Sequence, residues 1–142
     1  MKKIVLTLSI IGTVTFCSCT GNADANATTY DVIQQEEIVV DVTVEQFKNL
    51  LIEQGGTILD VRTPEEWAEG IIAKAEKIDY YSDDFSAEVE KLDKKQPIFV
   101  YCKKGGRSSS AADILKEKGF VKIYNLDGGI TAWIDSGNEI VK

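Results

Sequence analysis

From Ile38 to the end of the chain, short apolar runs alternate with amphipathic stretches. The apolar runs are rich in β-branched and aromatic residues, as buried strands are. Amphipathic stretches between such runs predict helices that cover a parallel sheet. The pattern therefore predicts an α/β domain, with strands in IVVDV, TILDVR, PIFVYC and KIYNL and a further short strand within AEKIDYYS.

Capping residues mark the starts of the first two helices. Thr43 precedes the apolar stripe of the first helix, and Gln46 completes a capping box with it. Thr63 is followed by Pro64 at the first helical position and then by Glu66, which predicts a second capping box. Further helices are predicted over residues 84–94, from Ser108 to about Lys118, and near Trp133.

The beginning of the chain has the pattern of an export signal. Lys2 and Lys3 precede an uncharged apolar stretch, residues 4–16, that is too short to span a bilayer as a permanent helix. Cys19 follows Ser18, the small residue that lipoprotein processing prefers. We therefore predict a bacterial lipoprotein-type signal, with a lipid anchor on Cys19 that attaches the protein to a membrane.

Two alternatives to lipidation at Cys19 remain open. Cys17 is a second candidate for the lipid, and ordinary signal cleavage can end at Ala25 or Ala27. In each case the mature chain is exported to the cell envelope or periplasm. The predicted organisation is a signal over residues 1–19, a flexible tether over 20–36 and a folded domain over 37–142.

Charge and residue counts exclude several classes of function. The formal net charge of −7 argues against a nucleic-acid partner, because phosphate binding needs a basic surface. The chain has three cysteines and no histidine. Without an imidazole it cannot use a Cys–His or Ser–His–Asp mechanism, nor build a Cys/His metal site, so no metal is expected. We expect no cofactor either. Cys102 is the only cysteine of the predicted mature domain, so no internal disulfide is available.

The residues after Cys102 predict an activated thiol. Cys102 ends an apolar strand, at the edge of the sheet where open α/β proteins place their sites. Gly105 and Gly106 allow successive N–H groups to turn inward and form an anion-binding nest. The thiolate, which is the nucleophile, is favoured by these N–H groups and by the dipole of the following helix. It is also favoured by three nearby cations, Lys103, Lys104 and Arg107. The alternative is a buried small residue beside a solvated turn.

Three stretches carry a resemblance to a known family. They are ILDVRTPEEW, KLDKKQPIFVYCKKGGRSSSAADILKEKGF and VKIYNLDGGITAW. From about Val40 to Trp133 the chain resembles a single-domain rhodanese, and the last stretch is similar to the family's C-terminal signature. The resemblance implies an α/β fold whose five-stranded parallel sheet has helices on both faces.

The resemblance also implies an activity, that of a thiosulfate sulfurtransferase-like enzyme. Cys102 would take the outer sulfur of a small anionic donor, such as thiosulfate, a polysulfide or a persulfide, and pass it to a thiol or cyanide-like acceptor. Asp60 and Arg62 look like supporting positions, and a purely structural ion pair is the alternative. The donor or the persulfide would be bound by Lys103, Lys104, Gly105, Gly106, Arg107 and Ser108, with Ser108 also capping the helix.

One segment departs from the family pattern. The family continues Gly-His-Ile-Pro-Gly-Ala after the second strand, whereas residues 70–75 read Gly-Ile-Ile-Ala-Lys-Ala. The nucleophile is unaffected. The departure puts in question the turn geometry and one rim of the pocket.

Other functions fit parts of the same pattern. Related phosphatases place five residues between Cys and Arg to surround a tetrahedral oxyanion, whereas residues 103–106 supply only four here. The same fold can also serve as a non-catalytic interaction module. A thiol that reduces envelope partners is a third alternative, and it would need an external thiol to resolve it.

Overall fold

The computed structural model of the protein describes residues 38–142. Its five strands form one sheet of order β1-β5-β4-β2-β3, and every neighbouring pair is parallel. The predicted α/β class and the five-stranded parallel sheet are therefore confirmed. The strands are β1 Ile38–Val42, β2 Thr57–Asp60, β3 Glu76–Lys77, β4 Ile98–Tyr101 and β5 Lys122–Leu126.

Helices cover both faces of this sheet. On one face, α3 and α4 pack on a core that includes Val100, Cys102 and Leu115. On the other face, α1 and α5 pack on a core that includes Phe99 and Trp133. The short α2 buries no residue fully. The helices are α1 Val44–Gln54, α2 Pro64–Glu69, α3 Phe85–Val89, α4 Gly106–Glu117 and α5 Gly129–Asp135.

Local signals place the first helix correctly. The Thr43 side chain accepts from the Gln46 N–H, and the Gln46 side chain accepts from the Thr43 N–H at 2.9 Å. Gly55 ends α1, as the sequence predicts, with its N–H bonded to the Leu51 carbonyl oxygen. The capping box satisfies backbone donors that a helix start would otherwise leave unpaired.

Two elements are shorter than predicted. The helix predicted over residues 84–94 ends at Val89, because the chain tightens into i to i−3 turns, with the Leu92 N–H on the Val89 carbonyl oxygen. The predicted strand within AEKIDYYS is reduced to Glu76 and Lys77. Both of these residues are exposed at the edge of the sheet, where pairing on one side only gives little support.

The predicted signal, the tether and Cys19 lie outside the described residues. Within residues 38–142, no helix has the length and apolar character needed to cross a bilayer.

Candidate active site

Cys102 follows β4 directly, at the carboxyl edge of the parallel sheet. Its side chain faces the core that α3 and α4 cover, and the residue is 2% exposed. The loop after it, residues 103–105, leads into α4 at Gly106. The sulfur is therefore enclosed by its own loop and by the first turn of α4. The cleft of about 410 Å³ between β3 and α3 is lined by other residues.

Hydrogen-bond donors surround the sulfur. The Gly105 N–H donates to Cys102 Sγ at 3.1 Å, and the Ser108 hydroxyl lies 3.5 Å from it. Burial raises the pKa of the Cys102 thiol, but the Ser108 hydroxyl and the N–H groups of Ser108, Lys104 and Gly105 together lower that pKa below its ordinary value. These groups thus stabilise the thiolate, the form that acts as a nucleophile, against the effect of burial.

Gly105 gives the loop its shape. Its φ of 101° lies in the left-handed region, where a residue with a β-carbon would be strained. This turn brings the Gly105 N–H onto the sulfur and makes Gly105 the N-cap of α4. The Gly105 N–H therefore faces the sulfur.

The expectation that Ser108 caps this helix is wrong. Ser108 is buried in the first turn of α4, which begins at Gly106. Its hydroxyl lies 3.0 Å from the Gly105 carbonyl oxygen and 3.5 Å from the sulfur, and can donate its one hydrogen to either acceptor. Because the loop is pulled tight around Cys102, the helix starts earlier than a serine cap would allow.

The N-terminal turn of α5 packs against the same loop. The Ile130 N–H donates to the Cys102 carbonyl oxygen at 2.9 Å, and the Thr131 hydroxyl donates to that of Lys103 at 2.8 Å. A β-carbon at Gly129 would overlap the Cys102 carbonyl oxygen and lie 2.8 Å from that of Lys103. Glycine is therefore required for the close approach of α5.

The cations of the loop divide into two kinds. Lys103 and Lys104 are exposed, and neither forms a salt bridge with any residue that the structure describes. Arg107, which the sequence assigns to the donor, instead binds the Glu66 carboxylate through both terminal nitrogens, at 2.6 and 2.8 Å. The two lysines are thus the loop cations that remain available to an anionic donor.

Glu66 joins α2 to the reactive loop. Its carboxylate also accepts from the Thr63 N–H at 3.0 Å, while the Arg107 guanidinium lies over the Tyr81 ring. The hydrogen bonds from Arg107 lower the pKa of Glu66 to about 2, against the opposing effect of burial. This charged pair holds the first turn of α4 against α2 and the loop before α3.

Asp60 and Arg62 form a buried ion pair. Both are almost fully buried, and Arg62 Nη2 lies 2.6 Å from Asp60 Oδ2. The same nitrogen donates to the Gly70 carbonyl oxygen at 2.7 Å, which ties the end of β2 to the turn that follows α2. Of the two roles that the sequence leaves open, these contacts match the structural one.

The segment that departs from the family pattern still forms a closed turn. The backbones of Ile71 and Val141 exchange two hydrogen bonds of 2.8 Å, and the Ile72 N–H donates to the Tyr101 hydroxyl at 3.0 Å. Lys74 has a φ of 67°, the one positive φ of a non-glycine residue among residues 38–142. The segment thus forms a turn with strain at Lys74, the position where the family pattern has glycine.

Sequence reasoning missed three residues around the site. The sequence assigns Glu66 only to a capping box, gives Thr131 no role, and places Tyr81 only within a short strand. A carboxylate three residues after a helix cap satisfies the capping rule, so nothing in the sequence indicated a second partner. The contacts of Glu66 with Arg107 and of Thr131 with Lys103 join residues 41 and 28 positions apart, which only the fold brings together.

Comparison with known proteins identifies the family. The sequence profile of the rhodanese-like domain matches residues 43–136, so the chain belongs to the rhodanese-like domain family. Its catalytic class follows from its relatives, and the protein is a rhodanese-type sulfurtransferase.

Two curated relatives and two solved structures illustrate the match. A thiosulfate sulfurtransferase GlpE of Pseudomonas aeruginosa is 38% identical over 93 residues, 65% of this chain and 81% of the relative. A sulfurtransferase of Allochromatium vinosum is 33% identical over 84 residues, 59% of this chain and 77% of the relative.

Among solved structures, a rhodanese-like domain protein of Staphylococcus aureus has a TM-score of 0.61 and 33% identity, covering 72% of this chain and 97% of its own. A rhodanese-related protein of Thermoplasma volcanium has a TM-score of 0.63 and 28% identity, covering 71% of this chain and 96% of its own.

Proposed function

We propose that the protein transfers sulfane sulfur through a persulfide on Cys102. The observation that carries the proposal is the set of donors around Sγ, with the Gly105 N–H at 3.1 Å and the Ser108 hydroxyl at 3.5 Å. These neutral donors stabilise a thiolate in a chain that has no imidazole to act as a base.

The transfer takes two displacement steps. The Cys102 thiolate attacks the outer sulfur of thiosulfate, a persulfide or a polysulfide, and a new S–S bond forms. The donor's own S–S bond breaks, and its electron pair leaves with sulfite or with the donor thiolate. A thiol or cyanide-like acceptor then attacks the outer sulfur of the persulfide, and Cys102 leaves as a thiolate.

Lys103 and Lys104 attract the anionic donor in this mechanism. They are exposed beside the reactive loop, whereas Arg107 is neutralised by Glu66. The chain as a whole is acidic, with a formal net charge of −7, so a local pair of lysines gives the loop a distinct potential.

Phosphate-ester hydrolysis fits the site less well. Four residues separate Cys102 from Arg107, and both terminal nitrogens of that arginine bind a carboxylate. An arginine held in this way is not presented to an oxyanion above the sulfur. The non-catalytic alternative is disfavoured by the donors that face Sγ, because a merely structural cysteine needs none.

Mass spectrometry of the intact chain tests sulfur transfer directly. After incubation with thiosulfate or polysulfide, we expect a gain of one sulfur that cyanide or a thiol removes. The gain should be lost in Cys102→Ser and kept in a variant with both Cys17→Ser and Cys19→Ser, the matched control for the other thiols. A folded, reduced protein that gains no sulfur from any donor would leave the non-catalytic module as the better account.

We also propose that the protein is exported and anchored through a lipid on Cys19. The support is the sequence of the first residues, with two lysines, an apolar stretch and a serine before the cysteine. Expression in a bacterium, followed by detergent phase partition, tests this. The chain should enter the detergent phase, and Cys19→Ala should move it to the aqueous phase. A Cys19→Ala chain that stays in the detergent phase, while Cys17→Ala leaves it, would assign the lipid to Cys17.

A further inference from the structure

The carbonyl oxygens of the peptide bonds on either side of Lys103 both accept hydrogen bonds from α5. The Cys102 oxygen accepts from the Ile130 N–H at 2.9 Å. The Lys103 oxygen accepts twice from one residue, from the Thr131 N–H at 3.2 Å and from the Thr131 hydroxyl at 2.8 Å. Both acceptors are thus held by the first turn of α5.

Peptide planarity converts these contacts into an orientation of N–H groups. In a trans peptide unit the N–H points opposite to the carbonyl of the preceding residue. When the Lys103 oxygen is held toward α5, the Lys104 N–H must therefore point to the other side. Hydrogen bonding from this N–H is one of the causes that lower the pKa of Cys102. A rotation of this plane would replace a donor facing the sulfur with an acceptor that repels a thiolate.

We propose that Thr131 is a positioning residue of the reactive loop, which holds the Lys103 carbonyl oxygen and so aims the Lys104 N–H at the Cys102 sulfur. Thr131 touches neither the thiol nor a donor, and acts through the peptide plane between Lys103 and Lys104. The inference rests on the proposed role of Cys102 as a nucleophile.

The hydroxyl is the part of Thr131 that a substitution can remove. Thr131→Val keeps the shape of the side chain and deletes the shorter of the two hydrogen bonds, while Thr131→Ser restores the hydroxyl. The Thr131 N–H still binds the Lys103 oxygen in every variant, so the orientation is weakened rather than lost. Lys104 also remains one of several donors, alongside Gly105 and Ser108.

The expected effect is a shift in the ionisation of one thiol. We expect Thr131→Val to raise the pKa of Cys102 by roughly half a unit, which leaves about threefold less thiolate below that pKa. Thr131→Ser should keep the pKa of the parent chain. Thr57→Val is the matched control. Thr57 begins β2 at the amino ends of the strands, whereas Cys102 follows the carboxyl end of β4, and the Thr57 side chain forms no hydrogen bond among residues 38–142.

The measurement uses a chain in which Cys17 and Cys19 are serine, so that Cys102 is the only thiol. The pH dependence of iodoacetamide alkylation and of the thiolate's ultraviolet absorbance gives its pKa, and neither readout needs a sulfur donor. A failure of sulfur transfer would therefore leave this test intact. Urea unfolding separates the pKa from any change in stability.

Three results would overturn the inference. The first is a Thr131→Val protein with the pKa of the parent chain, whatever its stability. The second is an equal shift in Thr131→Ser, which would assign the effect to packing. The third is an equal shift in Thr57→Val. If Thr131→Val does not fold, Thr131→Ala removes the same hydroxyl in a residue that favours helices and is judged by the same outcomes.

Discussion

The ion pair between Glu66 and Arg107 gives a prediction that combines a substitution with pH. Its side chains are only 16% and 18% exposed, and the pair joins α2 to the first turn of α4. Glu66→Gln removes the charge but keeps an oxygen for the Thr63 N–H. The variant therefore leaves the Arg107 guanidinium without its partner while changing little else.

The magnitude follows from the ionisation of Glu66. A pKa held at about 2, against an ordinary 4.5, corresponds to about 3 kcal/mol of free energy of unfolding. Water around a partly exposed pair screens part of this, so we expect Glu66→Gln to cost about 1–2 kcal/mol at pH 7. Because the folded-state pKa is lowered, the stabilisation is present above pH 4.5 and is lost as the pH falls toward 2.

Urea unfolding from pH 7 to pH 2 checks both parts of this prediction. The difference between the parent chain and Glu66→Gln should shrink below pH 4.5 and nearly vanish at pH 2. Glu90→Gln is the matched control, since it changes the net charge equally but breaks a pair with Lys118 in which the glutamate is 54% exposed. Its effect should be much smaller. A difference for Glu66→Gln that stays constant with pH, or that equals the control, would refute the reasoning.

Three further predictions concern the turns and the loop. Lys74→Gly should raise the free energy of unfolding by about 0.5–1 kcal/mol, because relief of the left-handed φ exceeds the entropy cost of glycine. Lys77→Gly is the control and should not raise the free energy of unfolding. Gly129→Ala should lower the free energy of unfolding, measured with urea, by about 3 kcal/mol. The β-carbon of the alanine would overlap the Cys102 carbonyl oxygen, and the φ of 58° at this position is strained for any residue but glycine. Lys103→Gln with Lys104→Gln should raise KM for thiosulfate about tenfold at low ionic strength, with little change in kcat; an unchanged KM would exclude these lysines from donor binding.

Features that depend on neighbouring residues could be predicted from the sequence. Thr43 and Gln46 are three positions apart, so their capping box can be recognised without knowing the fold, and α1 begins where it indicates. The β-branched run of β4 likewise places Cys102 at the end of a central strand. These signals are local, and the tertiary structure does not override them.

The start of α4 could not be predicted in this way. A serine before a helix is normally its cap, yet Ser108 lies inside the first turn. Gly105 has a left-handed backbone conformation and donates its N–H to the sulfur. The helix therefore begins at Gly106, closer to Cys102 than a serine cap would place it. The hydrogen bonding of the loop to the sulfur therefore outweighs the preference of serine for the N-cap position.

The segment after α2 departs from the family pattern in sequence and forms a closed turn. Lys74 occupies the position of the family's second glycine and takes the positive φ that glycine would take. Hydrogen bonds between Ile71 and Val141, and from Ile72 to Tyr101, close the turn. The departure therefore changes the chemistry of this rim, where Ile71 stands at the position of the family's histidine.

Because the chain has no histidine, the groups around Cys102 have to stabilise the thiolate without an imidazole base. Burial of Cys102 by itself would disfavour the thiolate. The charge of Arg107, in the first turn of α4, is neutralised by Glu66. What remains near the sulfur is a set of neutral donors, the Ser108 hydroxyl and backbone N–H groups, oriented by Gly105 and by the carbonyl contacts of α5. Neutral dipoles stabilise a negative sulfur without forming an ion pair with it. A sulfur stabilised in this way is the nucleophile that the proposed sulfur transfer requires.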